Sequence, residues 1–240
     1  MRVLWKPKWI AGHLLAVTVV VLFVNLGLWQ LDRHQWRAGL NAAITEGLRA
    51  EPVPFGRLTP GRRDYRRTAV SGRYLSEREV LLTPRNERGP GHHVLTPLRL
   101  GDGRLLVVDR GWVPFALDEP PVREAAPPGG EITVEGVLLP ATHVDAKAVR
   151  DDDGRLLRVA AVAPAVVVGG GDADNVVADV FLLLRAPGPP AGELPVPGEL
   201  PALEAGPHLS YAGQWFLFAL VTVVGYPLLL RRTARDAVSG

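Results

Sequence analysis

Two long uncharged runs constrain this chain more than anything else in it. The first starts at Trp9 and reaches Leu31; the second extends from Leu209 to Leu230 and is stopped by Arg231 and Arg232. Roughly 20 apolar residues, each rising about 1.5 Å in a helix, cross a hydrocarbon core of about 30 Å. A cleavable signal peptide would carry an apolar region of about 7–15 residues ending in small side chains. The first run is longer and ends in the bulky stretch "LGLWQLDRHQW", so it reads as a retained anchor.

Arginine and lysine near the ends of the runs set the orientation. Arg2, Lys6 and Lys8 precede the first run, and Arg231, Arg232 and Arg235 follow the second. The approach from Ala186 to His208 has no Lys or Arg and carries Glu193, Glu199 and Glu204. Arg33 and Arg37 count against the rule, but the balance puts both termini in the cytoplasm. The expected layout is a cytoplasmic segment 1–8, a transmembrane helix 9–31, an extracytoplasmic domain 32–207, a second transmembrane helix 208–230 and a cytoplasmic end 231–240. This is a multi-pass protein of the cell membrane, with the lipid bilayer as its first partner.

Composition excludes several chemistries. The 240 residues include no cysteine, and the only methionine is Met1. Disulfides, thiolate metal sites and Cys-x-x-Cys-His haem attachment are ruled out, and a soft copper(I) site has no soft ligands. A formal net charge of +2 gives no argument for nucleic acid.

The helical pattern continues past the first run. Trp29, Trp36, Leu40, Ile44 and Leu48 recur at intervals of seven and four, one stripe of a helix, until Pro52 and Pro54 end it. Strand signals follow in "RRTAVSGRYL", "EVLLTP", "HHVLTPLRL", "RLLVVDRGWVP", "EITVEGVLL" and "VFLLLR". Gly101-Asp102-Gly103 between two of them predicts a hairpin. Alternation would put Leu106, Val108, Arg110 and Trp112 on one strand face. The fold class is therefore two transmembrane helices flanking a mainly antiparallel β domain, barrel-like or a sandwich, with a helical extension of the first span. "AVAPAVVVGGGDADNVVADV" is ambiguous between strand and loop, and the proline-rich stretch 186–207 reads as a semi-rigid connector.

Nothing argues for catalysis: no serine sits in a nucleophile-elbow context and no paired carboxylates stand out. "VVVGGGDAD" lacks the Lys-Ser/Thr of a phosphate loop, and "RDDDGR" lacks EF-hand spacing; both read as turns. His92 and His93 are adjacent on a strand and point to opposite faces, a poor chelating pair. Arg110 has two readings: a packed arginine stacked on Trp112 or paired with an acid, or an anion contact, for example to a propionate. In the second span His208, Tyr211, Trp215, Thr222 and Tyr226 share a helical face; in the first, Asn25, Trp29, Asp32 and Trp36 do. Such stripes face another helix or a cofactor, or, for Trp and Tyr, the lipid headgroups. An imidazole at His208 could ligate iron or simply stand at the interface. His13 lies about 30 Å away in depth and cannot share its iron, whereas His34 stands at the same outer level and could.

"NLGLWQLDRHQWR", "YRRTAVSGRYL", "GPGHHVLTPLRLGDGRLLVVDRGWVP" and "HLSYAGQWFLFAL", in that order between two spans, resemble the Surfeit-locus family of cytochrome c oxidase assembly factors. The resemblance implies a factor that binds haem a, received from haem a synthase, and assists its insertion into oxidase subunit I. It aligns His208 with the family's histidine, Arg110, Gly111 and Trp112 with its Arg-Gly-Trp motif, and Gly27, Trp29, Gln30 and Arg33 with its first-helix motif. His208 would then ligate haem iron, with Tyr211, Trp215, Trp29, Arg33, Arg110 and Trp112 around the cofactor. The alternative is a scaffold for oxidase assembly that binds no haem. Two departures stand out: Gly206 and Pro207 replace the asparagine expected before the histidine, and Asp109 stands where the family's motif has asparagine.

Overall fold

The computed structural model describes residues 7–85, 89–142, 147–190, 192–200 and 203–239. They form two compact units, one of Met1–Ala43 with Ala202–Gly240, the other Ile44–Pro201.

The first unit is a pair of helices. Helix α1 is unbroken over Pro7–Arg49, so the apolar run and the amphipathic stripe after it are one element, as their shared period predicts. Its last turn closes with Ala50 N–H donating to Glu46 C=O at 3.1 Å, two residues before Pro52. The other member of the pair starts at His208 and is counted below as α3. Both helices are long and apolar enough to cross a membrane, and their apolar windows are almost wholly exposed.

The second unit is built on strands β1 Val53–Pro54, β2 Arg67–Tyr74, β3 Val80–Arg85, β4 Gly91–Leu100, β5 Leu105–Pro114, β6 Glu131–Pro140, β7 Ala148–Arg150, β8 Leu156–Val159 and β9 Val180–Ala186. A short helix, α2 Pro164–Val168, precedes β9, and α3 His208–Ser239 completes the chain. Among the described residues the strand order is β1-β2-β6-β9-β5-β4-β3-β8-β7, and β2 also pairs with β4. That extra pairing, Gly72 to Leu100 and Tyr74 to Leu98, closes β2, β6, β9, β5 and β4 into a five-stranded barrel. Of the two architectures the strand pattern left open, the barrel is the one formed. Closure removes the unpaired edges that an open sheet of these strands would expose. Pairing is mostly antiparallel, but β5–β9, β3–β8 and β1–β2 are parallel.

The barrel interior is filled from all five strands, by Val70, Leu98, Leu106, Val108, Val134, Leu138 and Leu182 among others. Burying each such side chain contributes on the order of 2 kcal/mol. Alternation sends Leu105 and Val107 to the opposite face, where they pack with Leu95, Val167 and Phe181 in a second layer. The Val-rich ambiguous stretch is thus a cover, helical in α2, over the outside of the barrel. Its glycines come after that helix, in a 3-10 turn at Gly170–Asn175, where a phosphate loop would need them before one.

Two readings from local pattern are corrected here. Trp112 does not share a face with Arg110. His93 pairs with Trp112 and Leu95 with Asp109, so Arg110 and Gly111 together oppose Val94. This β-bulge adds one residue to β5 and turns Trp112 to the other side. The proline-rich stretch, in turn, is more than a connector. Trp112 N–H donates to Val196 C=O at 2.7 Å and Val196 N–H returns to Trp112 C=O at 2.8 Å, strapping it to the barrel. Arg185 holds the same strap through Gly198 C=O at 2.8 Å.

Candidate functional site

The two helices of the first unit run antiparallel and meet along a seam. At one end His208, the first residue of α3, places its Nδ1 2.9 Å from Oε1 of Gln30. An amide oxygen accepts, so Nδ1 donates; in the neutral ring this puts the lone pair on Nε2, the tautomer a metal ligand requires. The side of the ring toward Nε2 faces Gly206, where a Cβ would come within 3.4 Å of it. Gly206 sits at φ +71°, so the glycine that departs from the family's asparagine gives the ring room and turns the chain into α3.

Below this contact the seam is filled. Phe23 stacks on Trp215 with centroids 5.6 Å apart, and Trp215 meets Phe218 edge-on at 5.9 Å. Gly27 is buried directly against the ring of Phe216; a Cβ there would lie 2.6 Å from Cε1. Ala212 and Ala219 are buried alongside. Small residues let the helices close, which is how apolar helices associate without a hydrophobic driving force between them. At the far end Tyr226 Oη lies 2.7 Å from His13 Nδ1.

The stripes read from the sequence divide. His208, Trp215 and Tyr226 face α1. Tyr211 is 45% exposed and stands outside the seam. On α1 the predicted stripe points away from α3: Trp29 and Trp36 are each 54% exposed and Asn25 bonds back to Val21 C=O at 2.7 Å. Thr222 does likewise with Phe218 C=O at 2.8 Å. Asn25 and Thr222 therefore satisfy themselves within their own helices. Arg33 is exposed, its guanidinium 4.6 Å from the Trp36 ring centroid. Among the described residues no three His, Asp or Glu side chains gather as a metal-binding group.

Arg110 and Trp112 belong to the barrel unit. Arg110 is 4% exposed and lies inside the barrel end. Its Nε donates to Thr96 Oγ1 at 3.0 Å and its Nη2 to Glu79 Oε2 at 3.3 Å and to Ala125 C=O. Glu79 also accepts from Thr96 at 3.1 Å and from Val122 N–H at 2.7 Å. Burial pushes the Glu79 carboxyl up, against the pull of Val122 N–H, Arg110 and Thr96, and pushes the Arg110 guanidinium down. Tyr74, beside Arg110, is pushed up to about 12 by burial, with Arg110 opposing, and stays a neutral phenol. Asp109 accepts from Gly111 N–H at 3.0 Å and lies 2.8 Å from His93 Nδ1. The carboxylate in place of the motif's asparagine thus gains an imidazole partner. Gly111 sits at φ +123° with Val196 C=O against it, so a side chain there would push the strap away. Gln30 was legible only as part of a motif. Glu79 gave no signal: in "SEREVLL" it looks like one more surface acid.

The comparisons bear on this arrangement as a whole. A SURF1-like protein of Caenorhabditis elegans is 26% identical, the match covering 90% of this chain and 73% of that one. One from Monosiga brevicollis is 28% identical over 90% and 86% of the two chains. An uncharacterised SURF1-like protein of Mycobacterium tuberculosis is 29% identical over 92% and 83%. Residues 17–220, most of α1, the start of α3 and everything between them, match the SURF1 family, and the chain belongs to that family.

Proposed function

We propose that this protein is an assembly factor for a haem a-type cytochrome c oxidase and that it carries haem a through His208. The oxidase role rests on membership of a family of oxidase assembly factors. The haem role rests on one observation: His208 is held by Gln30 at Nδ1, which leaves Nε2 available as a donor. Because Phe23, Gly27, Trp215 and Phe216 fill the seam, the porphyrin would lie outside it. The exposed Trp29 and Tyr211 offer it flat apolar surface, and Arg33 a cation for the propionates. Both termini would be cytoplasmic and the barrel unit outside. Haem a synthase would deliver the cargo and oxidase subunit I receive it. Arg110 and Trp112 then serve the barrel and its strap.

The test is co-expression with haem a synthase, purification and reduced-minus-oxidised spectra. Wild type should retain haem a and His208→Ala should lose it. Gln30→Ala should lower retention about tenfold, the usual effect of removing the group that orients a ligand. Wild type purifying without haem, or His208→Ala keeping its full complement, refutes the carrier role. A scaffold reading draws on the filled seam. It expects function to survive replacement of both apolar helices by unrelated spans, whereas the carrier expects its loss.

A further inference from the structure

The barrel mouth holds features that neither haem carriage nor packing uses. A cavity of about 430 Å³ opens there, within the range of small-molecule sites. Tyr74 and Arg110 form its inner end, Ile132 and Leu184 its barrel wall, and Pro187 and Pro195 of the strap its cover. Tyr74 is 7% exposed, yet its buried Oη has no hydrogen-bond partner among the described residues. A buried hydroxyl without a partner is destabilising, and such groups call for an explanation. Arg110 spends Nε and Nη2 on Thr96, Glu79 and Ala125, while Nη1 has no partner among the described residues.

We infer that this mouth binds a small neutral molecule that presents a carbonyl oxygen on a compact apolar body. The phenol O–H and the spare guanidinium N–H are both donors, so the inner end recognises an acceptor. Neutrality follows from charge. Glu79 balances Arg110 from behind at 3.3 Å, and at the rim Arg123 stands against two carboxylates, Glu124 and Glu193. An anion would meet no net positive field, and a cation would meet two donors. The apolar walls exclude water and strengthen the bonds made inside. The strap that covers the cavity is fixed by the backbone of Trp112, so the motif's arginine lines the site and the backbone at its tryptophan holds the cover.

Ligand-observed saturation-transfer NMR on the full-length protein in detergent tests this, with benzamide as the neutral carbonyl probe and benzoate as its anionic counterpart. A probe of about nine heavy atoms should bind with a Kd of about 1–10 mM. Benzoate should bind at least tenfold more weakly. Tyr74→Phe removes only the orphaned hydroxyl; it should weaken benzamide about fivefold and leave the melting temperature unchanged or raised. Ala126 is exposed at the rim, so Ala126→Trp should block the cavity and abolish saturation transfer without entering the core. Benzoate binding as well as benzamide, Tyr74→Phe binding benzamide like wild type, signal surviving in Ala126→Trp, or no signal in wild type would each overturn the assignment.

Discussion

Replacing Glu79 by glutamine tests the central electrostatic claim about the barrel. The side chain is fully enclosed, with its two oxygens shared among three donors. Oε1 accepts from Val122 N–H at 2.7 Å; Oε2 accepts from Thr96 at 3.1 Å and Arg110 at 3.3 Å. Glutamine has one acceptor oxygen. Whichever way its amide turns, an N–H faces a buried donor, at about 1–3 kcal/mol. The larger cost is the guanidinium of Arg110, 4% exposed and left without a counter-charge. Breaking one side of a buried ion pair costs about 3–5 kcal/mol, so Glu79→Gln should destabilise the barrel by about that much. The double variant Glu79→Met/Arg110→Met removes both charges, and it should cost less than Glu79→Gln alone. Pulse proteolysis of the full chain across a urea series measures both. A loss under about 1 kcal/mol for Glu79→Gln, or a double variant as costly as the two singles together, would refute the pairing argument.

His92 gives stability a pH dependence. It is buried, stacked on Phe115 at 5.0 Å, with its pKa lowered by burial and by Arg158 against the pull of Asp118. The unfolded chain therefore gains a proton first, and stability should drop as pH falls below the ordinary 6.5; His92→Phe should flatten that drop in thermal melts. Gly111→Ala should release the strap through both its φ of +123° and its clash with Val196, seen as new proteolytic cleavage between Pro187 and Val196. Gly27→Leu should cost about 1–3 kcal/mol by overpacking against Phe216, and Phe216→Ala in the same chain should recover part of it in detergent melts.

Local pattern reveals what local physics decides. The apolar runs, the Gly101-Asp102-Gly103 hairpin between β4 and β5, and the continuation of the first run to Arg49 were all legible because each depends on neighbours within a few residues. Barrel closure was not, since the pairing of Tyr74 with Leu98 is a long-range choice that period-two alternation leaves open. The bulge at Arg110 and Gly111 was hidden for a similar reason: a glycine in a strand signals a bulge only when its partner strand is known. The first-helix stripe was real but pointed outward. Hydropathy cannot distinguish a face toward lipid from one toward a partner helix, and the seam was chosen by size, at Gly27. The candidate ligand His208 was visible; Gln30, which sets its tautomer, needed the packing of two segments far apart in sequence.

The helix pair has a consequence beyond holding that histidine. Two polar contacts between described residues join it near opposite ends, seventeen residues apart on α1 and eighteen on α3. At about 1.5 Å per residue these are nearly equal lengths, roughly 26 and 27 Å. Both contacts can close only when the helices are in one alignment, with Phe216 seated at Gly27 as a third mark. Sliding by a single turn, about 5.4 Å, would break all three at once. The pair therefore behaves as a vernier. It fixes where His208 stands against α1 by comparing two lengths.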